Sequence, residues 1–382
     1  MPHTSDPALD CAWADLRLTA VRVAPEPQPF STDVARAPQI DFRVDSDRGR
    51  LKSFLSYPSG TCIAIYRRAQ TTPARSPERV ARKALYSVLI KQTTIAAPVE
   101  TSGLGLHTAA PVRLRLRPAP PDTGHVFVRT DLDDFEIPAS VECIAHCSYA
   151  TTLMRTGVML STVEHVLAAL RGLGVDNAYI EVDNLEMPIM DGSADDFAEM
   201  ILRAGIVEQP ASRCALRVRR RVEVEQGNRR VLVEPHEAWE IDCMIDFPHP
   251  LIGVQRFRFD ALDPEAFLRE ISPARTFGFT EEIEALRRAN LIRGGSLSNA
   301  IVLTPTGMLN DEPLRLDGEF VRHKILDIIG DLALLGMPLL GLVRAERSGH
   351  LLHAALMSKL LRDESAWEIV DMPVGAALAS AR

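Results

Sequence analysis

Residues 319–336, EFVRHKILDIIGDLALLG, constrain the fold of this chain more than any other stretch of its sequence. Isoleucine and leucine recur there at intervals of three and four residues, which predicts an amphipathic helix with its apolar face towards a core. His323, Asp327 and Asp331 follow one another at intervals of four, so the helix places them on one line, with Lys324 beside them. A carboxylate buried on an apolar helix face needs a partner, because an unpaired buried charge is costly. The pattern therefore predicts a cation near this face.

A histidine and an aspartate four residues apart on a helix, such as His323 and Asp327, can supply a nitrogen and an oxygen to one metal ion. The same spacing also occurs in solvated salt-bridge faces and in core histidines that are hydrogen bonded to a neighbouring acid. A third ligand has to come from elsewhere in the chain, and His165 in the motif STVEH (161–165) is the candidate. Two imidazoles and one carboxylate suit zinc and leave a position open for water.

The glutamate next to His165 has two interpretations. Residues 161–164 match the capping-box pattern, in which the glutamate bonds back to the start of its own helix and has a structural role. Beside a metal ligand, Glu164 could instead take a proton from a metal-activated water. The sequence pattern leaves both interpretations open.

An enzyme that cleaves a bond with a metal-activated water also needs an acid that protonates the leaving group. His350 in the motif SGH (348–350) follows the last long strand pattern and is the candidate, with Asp331 to orient it and to stabilise its protonated form. The alternative is an exposed loop histidine without a catalytic role. Lys324 and Thr276 are candidates for holding a developing oxyanion.

Composition excludes several classes of protein. The chain has 382 residues, of which 46% are hydrophobic and 25% charged, as expected for a soluble globular protein large enough for two domains. No apolar run reaches the roughly 18 residues that a membrane-spanning helix requires. The net charge of -8 argues against binding nucleic acid through the overall electric field, and we expect the basic run RVRRR (217–221) to lie at solvated strand ends.

The six cysteines form no paired CxxC framework, which indicates a reducing compartment. Cys143, His146 and Cys147 lie close together in the sequence, but no second cluster of matching spacing accompanies them. We therefore expect this cluster to have a local structural role and not to bind a metal.

The chain is predicted to divide into three parts. Residues 1–88 are rich in proline, arginine and serine and lack sustained periodicity, so we expect a disordered extension or a start codon assigned too far upstream. Strand and helix patterns then recur in residues 89–211 and again in residues 212–382. In each half, a helix that begins near a histidine ends at glycine and leads into a strand. We predict an α+β fold of two similar layered domains, with sheets packed against central helices and the active site in the cleft between them.

Several motifs together resemble one enzyme family. In chain order they are SGLGLHT (102–108), STVEHVLAAL (161–170), PIMDGSA (188–194), ARTFGF (274–279), GGSLSNAIV (294–302), FVRHKILDIIGDL (320–332) and SGH (348–350). These motifs are similar to those of the zinc-dependent UDP-3-O-acyl-N-acetylglucosamine deacetylases of lipid A biosynthesis, and the resemblance covers about residues 89–370. Residues 1–88 have no counterpart in that family.

The resemblance implies a role for each matching position. It implies zinc bound by His165, His323 and Asp327, with Glu164 as the general base. It also implies the remaining catalytic groups, which are His350 as the general acid, Asp331 as its support, and Thr276 and Lys324 at the oxyanion.

The resemblance further implies how the substrate binds. His107 matches a position that lines the nucleotide-sugar region. Phe277 and the inserted element 278–296 match an apolar passage for the acyl chain, for which the implied substrate-binding residues are Phe277, Ile292, Gly295 and Ser296. Arg293 is a feature of this element that could alter the preference for acyl chain length.

On this basis we expect a zinc-dependent amidohydrolase that removes the N-acetyl group of UDP-3-O-(3-hydroxyacyl)-N-acetylglucosamine, the committed step of lipid A biosynthesis. The expected partner is the acylated UDP-sugar and not nucleic acid. We expect a cytoplasmic monomer that makes transient contact with the inner membrane surface. Two alternatives stay open, namely a non-catalytic protein that binds nucleotide sugars or acyl chains, and a zinc hydrolase that acts on a different N-acyl sugar.

Overall fold

A computed structural model of the chain describes residues 90–261, 263–289 and 291–372, and the backbone of three strands between residues 40 and 65. The chain divides into two compact units, Met1–Arg82 and Lys83–Arg382. The described strands of the first unit form an antiparallel sheet, which consists of β1 (Ile40–Asp45), β2 (Arg50–Ser56) and β3 (Cys62–Ile65).

These three strands lie within residues 1–88, for which the sequence predicts a disordered extension or a start codon assigned too far upstream. Residues 40–45 read IDFRVD and alternate apolar with polar residues, which is the two-residue period of a strand. So short a run is weak as a sequence signal, and what stabilises it is pairing with β2 along its whole length. The other residues of the segment lie outside the described part of the chain, and for them disorder stays a prediction.

The described part of the second unit contains helices, short 3-10 turns and strands. The helices are α1 (Glu164–Gly172), α2 (Asp195–Ala204), α3 (Pro264–Glu270), α4 (Thr280–Arg288), α5 (Glu319–Leu332) and α6 (His350–Arg362), and the 3-10 turns are Val141–Cys143 and Ala333–Leu335. The strands are β4 (Lys91–Ile95), β5 (Val99–Leu104), β6 (Pro111–Pro118), β7 (His125–Arg129), β8 (Phe135–Pro138), β9 (Ile144–His146), β10 (Thr152–Arg155), β11 (Val158–Leu160), β12 (Ala178–Val182), β13 (Ile206–Ser212), β14 (Cys214–Val218), β15 (Val222–Gln226), β16 (Arg229–Glu234), β17 (Trp239–Phe247), β18 (Gly253–Asp260), β19 (Phe277–Phe279), β20 (Ile301–Thr304), β21 (Gly307–Met308), β22 (Leu339–Glu346) and β23 (Trp367–Asp371).

The first half of this unit forms a five-stranded sheet in the order β5-β6-β12-β7-β8, with β12 and β7 parallel and the other neighbours antiparallel. Strand β6 shows why one face of the sheet is apolar. Val112, Leu114 and Leu116 are buried, while Arg113 and Arg115 between them are exposed. The pairing of β5 with β6 is the hairpin that the alternating sequence predicts.

The second half forms a seven-stranded sheet around β22. Strand β22 runs parallel to β14 and β17 and antiparallel to β16. Strands β15 and β16 form the hairpin predicted around residues 227–228. Smaller sheets are β9-β10-β11, β4-β13 and β19-β20-β21.

Helices α1 and α5 pack against each other, and α5 also packs against β17 and β18. Every residue of α1 is buried, as are nearly all residues of α5. A Cβ atom at Gly330 of α5 would lie 2.0 Å from the carbonyl oxygen of Glu164, so only glycine permits this close approach of the two helices. The helix predicted over residues 319–336 is therefore confirmed as a central element of the core.

The predicted α+β class is confirmed, because each half contributes its own sheet and one of the two central helices. Both halves belong to the single compact unit Lys83–Arg382. The boundary between 89–211 and 212–382, and a site in a cleft between two domains, therefore stay predictions. None of the helices in the described residues has the length and apolar character needed to span a bilayer.

Candidate active site

His165, His323 and Asp327 come together in the interior of the second unit. The Nε2 atoms of His323 and His165 lie 3.4 Å and 3.9 Å from Asp327 Oδ1. Each residue offers a ligand atom within 4.8 Å of the others, and all three are buried. Ligand atoms of a tetrahedral zinc site are roughly 3.3 Å apart, because zinc binds nitrogen and oxygen at about 2.0–2.1 Å. The three side chains therefore fit a single zinc ion.

Both imidazoles are prepared to bind a cation. His323 Nδ1 donates to the carbonyl oxygen of Ala274 at 3.0 Å, which leaves the lone pair on Nε2, the nitrogen near Asp327. His165 Nε2 faces Asp327 Oδ1, whereas its Nδ1 is buried without a hydrogen-bond partner among the described residues. Burial lowers the pKa of both histidines, to about 3 for His165, and both are therefore neutral at pH 7, as metal binding requires.

Asp327 is ionised, and its two carboxylate oxygens have different neighbours. Lys324 Nζ donates to Asp327 Oδ2 at 2.7 Å, which leaves Oδ1 for a cation. Burial alone would raise the pKa of Asp327, but the Lys324 ammonium and His323 hold the pKa well below its ordinary range. Lys324 Nζ also lies 5.9 Å from the ring centroid of Phe277. The predicted oxyanion lysine thus contacts the candidate ligand Asp327 directly.

Glu164 is the first residue of α1 and does not form a capping box. Its Oε2 accepts a hydrogen bond from the backbone N–H of Thr151 at 3.1 Å. The residue before the helix, Val163, makes no side-chain cap, and Thr162 has a φ of 62°, so the 161–164 pattern does not form the capping geometry. Burial raises the pKa of Glu164 to about 7, and Asp331 adds to this rise while His350 opposes it. A carboxylate with this pKa suits a general base.

His350 is the first residue of α6 and not an exposed loop histidine. Its Nδ1 donates to Asp331 Oδ2 at 2.7 Å, and its Nε2 lies 3.9 Å from Glu164 Oε1. Burial alone would lower the pKa of His350, but the Asp331 carboxylate raises it to about 10. The structure thus brings together His350, whose imidazole is protonated at neutral pH, and Glu164, a carboxylate whose pKa is raised.

Two further residues of this site escape the sequence prediction. The Thr151 hydroxyl donates to Asp331 Oδ1 at 2.6 Å, and His353 Nδ1 donates to Asp331 Oδ2 at 2.7 Å. His353 could have been found from its position three residues after His350 on a helix. No sequence signal links Thr151 to Asp331, which is 180 residues away. Asp331, His350 and His353 also form a second group with clustered ligand atoms, and their mutual hydrogen bonds account for that clustering.

The motif ARTFGF (274–279) is bound to the start of α5 by hydrogen bonds and an ion pair. Arg275 donates to Glu319 Oε1 from its backbone N–H at 3.0 Å and from Nε at 2.9 Å, and both side chains are buried. The next residue, Thr276, donates its backbone N–H to the carbonyl oxygen of Gly192 at 2.8 Å. Thr276 is thereby held between α5 and the PIMDGSA motif, although no hydrogen bond joins it to the candidate metal ligands within the described residues.

Phe277 extends from the candidate metal centre into an aromatic cluster. Its ring centroid lies 6.4 Å from that of His323 and 5.0 Å from that of Phe320. On the other side it is 5.7 Å from Phe247 and 6.4 Å from Phe279. An apolar surface therefore begins beside the ligand His323.

His107 contacts the inserted element predicted to bind the acyl chain. Its backbone N–H donates to Glu186 Oε1 at 2.7 Å, and its carbonyl oxygen accepts from the N–H of Arg293 at 3.2 Å. Its Nδ1 accepts from the N–H of Ile292 at 3.4 Å, whereas its Nε2 is buried and has no partner in the described part of the chain. The structure thus brings together His107 and Ile292, two of the predicted substrate-binding residues.

Gly295 and Ser296 form the turn that ends the inserted element 278–296. The N–H of Gly295 donates to the carbonyl oxygen of Ile292 at 3.1 Å, and the N–H of Ser296 donates to Asn299 Oδ1 at 2.8 Å. Within the described residues neither has a hydrogen bond to the candidate metal ligands. Their predicted role in substrate binding stays a prediction.

The remaining sequence features have ordinary structural partners. The basic run 217–221 is paired with acids, including Arg219 with Glu368 at 3.6 Å and Arg220 with Asp363 at 2.7 Å. Two groups of metal-ligand type occur among the described residues, and neither contains the cluster Cys143, His146 and Cys147.

Comparison with known proteins gives the same assignment as the motifs. The family model described as UDP-3-O-acyl N-acetylglycosamine deacetylase matches residues 92–362. The UDP-3-O-acyl-N-acetylglucosamine deacetylase of Solibacter usitatus (strain Ellin6076) is 49% identical over 279 residues, which cover 73% of this chain and 94% of the relative. The protein of the same name from Coxiella burnetii (strain CbuK_Q154) is 47% identical over 285 residues, which cover 74% of this chain and 94% of the relative. The chain belongs to the UDP-3-O-acyl N-acetylglycosamine deacetylase family.

Proposed function

We propose that this protein removes the N-acetyl group from UDP-3-O-(3-hydroxyacyl)-N-acetylglucosamine, giving acetate and the free 2-amine in lipid A biosynthesis. The observation that carries the proposal is one buried group of side chains in a member of this family. That group combines a ligand set for zinc with Glu164 directly beside it and with His350 Nε2 at 3.9 Å from Glu164.

The proposed cofactor is zinc, held by His165, His323 and Asp327. When bound, zinc lowers the pKa of a water ligand to about 7 and polarises a carbonyl oxygen. Two neutral imidazoles and one ionised carboxylate are the donor types that zinc prefers in sites that keep a position open. The distances of 3.4 Å and 3.9 Å between ligand atoms support this assignment.

Glu164 acts in this proposal as the base that takes a proton from the attacking water. Its Oε2 is held by the Thr151 N–H, and Oε1 is the oxygen nearer to His350. A pKa raised by burial to about 7 brings its basicity close to neutral pH, where a general base is most effective.

His350 acts as the acid that gives a proton to the departing amine. Its Nδ1–H is engaged by Asp331, so the proton that it can transfer is on Nε2. Protonation of the nitrogen is necessary because an amide anion is a very poor leaving group. Asp331 stabilises the imidazolium before the transfer and keeps the ring oriented during it.

Lys324 and Thr276 hold the charge that develops on the acetamide oxygen. The Lys324 ammonium is fixed at 2.7 Å from Asp327, within reach of a group bound at the ligand set. The Thr276 hydroxyl donates no hydrogen bond to another side chain or carbonyl in the described part of the chain, which leaves it available to a substrate.

The acyl chain is proposed to lie along Phe277 and the inserted element 278–296. This surface combines the aromatic cluster with half-buried aliphatic residues, which are Ile283, Leu286, Leu291 and Ile292. Each methylene buried there contributes about 0.8 kcal/mol, so a long chain supplies much of the affinity. His107 is proposed to contact the nucleotide sugar, and its Nε2, which is buried without a partner among the described residues, supports this role.

We further propose that the protein works as a monomer in the cytoplasm and touches the inner membrane surface through its lipid-tailed substrate. The thiols of Cys143, Cys147 and Cys243 are not in disulfide bonds, which fits a reducing compartment.

The proposal is tested by supplying two substrates to the same protein preparation and detecting the free amine by mass spectrometry. UDP-3-O-(3-hydroxyacyl)-N-acetylglucosamine should be converted with a kcat/KM at least about 100-fold higher than UDP-N-acetylglucosamine, because only the first has an acyl chain to bury. Equal kcat/KM for both compounds would favour a hydrolase of a different N-acyl sugar. Binding of the acylated compound without turnover would favour a non-catalytic protein.

A further inference from the structure

The Asp331 carboxylate accepts hydrogen bonds from three side chains, of which the mechanism above uses one. Its Oδ2 accepts from Nδ1 of both His350 and His353, each at 2.7 Å. Its Oδ1 accepts from the hydroxyl of Thr151 at 2.6 Å. Asp331, Thr151 and His353 are all at least 98% buried, so water does not compete for these bonds. The orientation of this carboxylate is therefore fixed at both oxygens.

Thr151 connects the two halves of the acid–base pair. Its hydroxyl donates to Asp331, the partner of the acid His350, while its backbone N–H donates at 3.1 Å to Glu164, the base. It lies directly before β10, the middle strand of the sheet β9-β10-β11, so the backbone that carries these two donors leads into a strand that is paired on both sides. One residue thus sets the position of a carboxylate on α1 relative to a carboxylate on α5.

His353 connects Asp331 to the turn that precedes the acid. Its Nδ1 donates to Asp331, so its Nε2 accepts from the Ser348 hydroxyl at 2.9 Å. Ser348 lies two residues before His350, and His353 lies three residues after it in the first turn of α6. The bond to Ser348 closes the turn around His350, and the bond to Asp331 joins the start of α6 to α5.

We propose that Thr151 and His353 are positioning residues for the deacetylation: they hold Asp331 so that His350 Nε2 faces the leaving amine and Glu164 Oε1. The inference rests on the proposed function. Its physical basis is that a carboxylate with one donor can rotate with its partner, whereas donors on both oxygens prevent this rotation. Neither residue touches the reacting atoms, so both act through Asp331 and, for Thr151, also through Glu164.

The first test compares Thr151→Val, which keeps the shape and removes the hydroxyl, with Thr151→Ser, which keeps the hydroxyl. Thr151→Val should lower kcat about 10-fold or more with KM within twofold, because substrate binding does not involve this group. Thr151→Ser should recover most of the rate. In an Asp331→Asn background Thr151→Val should cost little more, because the two residues act as one unit.

The second test compares His353→Leu with His353→Asn, whose amide nitrogen can take the place of Nδ1 as donor to Asp331. His353→Leu should lose about 10-fold or more in kcat, and His353→Asn should recover most of it. Leu356→Ala is the matched control, since Leu356 is buried on the same helix and should lower the melting temperature with kcat retained.

A kcat within twofold of wild type in both Thr151→Val and His353→Leu would overturn the inference. The inference would also be overturned if Thr151→Val lowered kcat by the same factor in the wild-type and Asp331→Asn backgrounds. It would likewise be overturned if Leu356→Ala lowered kcat as much as His353→Leu. If His353→Leu does not fold, the Thr151 pair decides, because valine has the shape of threonine. An inactive wild-type protein would contradict the proposed function itself, whereas an active wild type with active variants contradicts this inference alone.

Discussion

At the scale of single residues, the site depends on two raised pKa values with different causes, which are burial for Glu164 and the Asp331 carboxylate for His350. Glu164 and His350 are 3.9 Å apart at their nearest polar atoms, yet one is a base of raised pKa and the other a protonated imidazole. The difference arises because Asp331 binds His350 directly, whereas Glu164 has neighbouring acids and is removed from solvent. Pairs of titratable groups whose different environments set their pKa values separately are typical of acid–base catalysis.

Replacing Glu164 by glutamine or His350 by alanine should lower kcat by about 100-fold or more, because each change removes one proton transfer. Zinc content measured by atomic absorption should stay near one ion per chain, since neither residue is a proposed ligand. His165→Ala is the contrasting variant, which should lose zinc together with activity. Full activity in Glu164→Gln would remove that residue from the mechanism.

The pH dependence of kcat/KM should be bell-shaped, with each limb assigned to one group. Activity falls as pH drops through the pKa of Glu164, which burial raises to about 7 and a bound cation lowers again. It falls as pH rises through the pKa of His350, which Asp331 raises. Asp331→Asn removes that charge, so the alkaline limb should move to lower pH by about 1 unit or more. An unmoved alkaline limb would contradict the assignment of His350 as the acid.

The sequence predicts the residues whose spacing lies within one helix and misses those joined by tertiary contacts. His323 and Asp327 stand out because four-residue spacing puts them on one face. Thr151 has no such signal, because the group that it binds is 180 residues away. The site therefore has a local part that a pattern reveals and a long-range part that only the fold reveals.

At the scale of elements, the packing of α1 against α5 sets the distance between the ligands. His165 comes from α1 and His323 and Asp327 from α5. The sequence patterns predict both helices, but the pattern STVEH would start α1 at Ser161, whereas the helix begins at Glu164. The cause is Thr162, whose positive φ prevents the helix from continuing back to Ser161. Helix boundaries of this kind depend on tertiary contacts and not on propensity.

Gly330→Ala tests this close packing. The added Cβ would lie 2.0 Å from the carbonyl oxygen of Glu164, so the two helices must separate. We expect the free energy of unfolding to fall by about 1–3 kcal/mol, as measured in urea, and the affinity for zinc to fall with it. Gly307→Ala is the matched control, since its nearest neighbour would be at an ordinary 3.7 Å. Equal stability of both variants would show that α1 and α5 are not in close contact at Gly330.

At the scale of the whole molecule, the active site belongs to one part of the chain. The compact unit Lys83–Arg382 contains every candidate site residue, and the family match covers residues 92–362. The sequence changes in composition near residue 88, close to the division between Arg82 and Lys83, while the domain boundaries and the disorder of the first 88 residues stay predictions. The α+β class follows from alternating strand and helix patterns, whereas the strand order around β22 does not, because pairing between distant strands is not encoded in any local period.

The most direct test of this account is acetate release from UDP-3-O-(3-hydroxyacyl)-N-acetylglucosamine by protein lacking residues 1–88, measured beside the full-length chain. We expect equal kcat for both proteins, complete loss of activity after metal chelation, and recovery when zinc is added back. This result would establish the reaction, the cofactor and the dispensability of the first 88 residues together. Acetate release that survives chelation, or a folded, zinc-loaded full-length protein that releases none, would contradict the central claim of a zinc-dependent deacetylase.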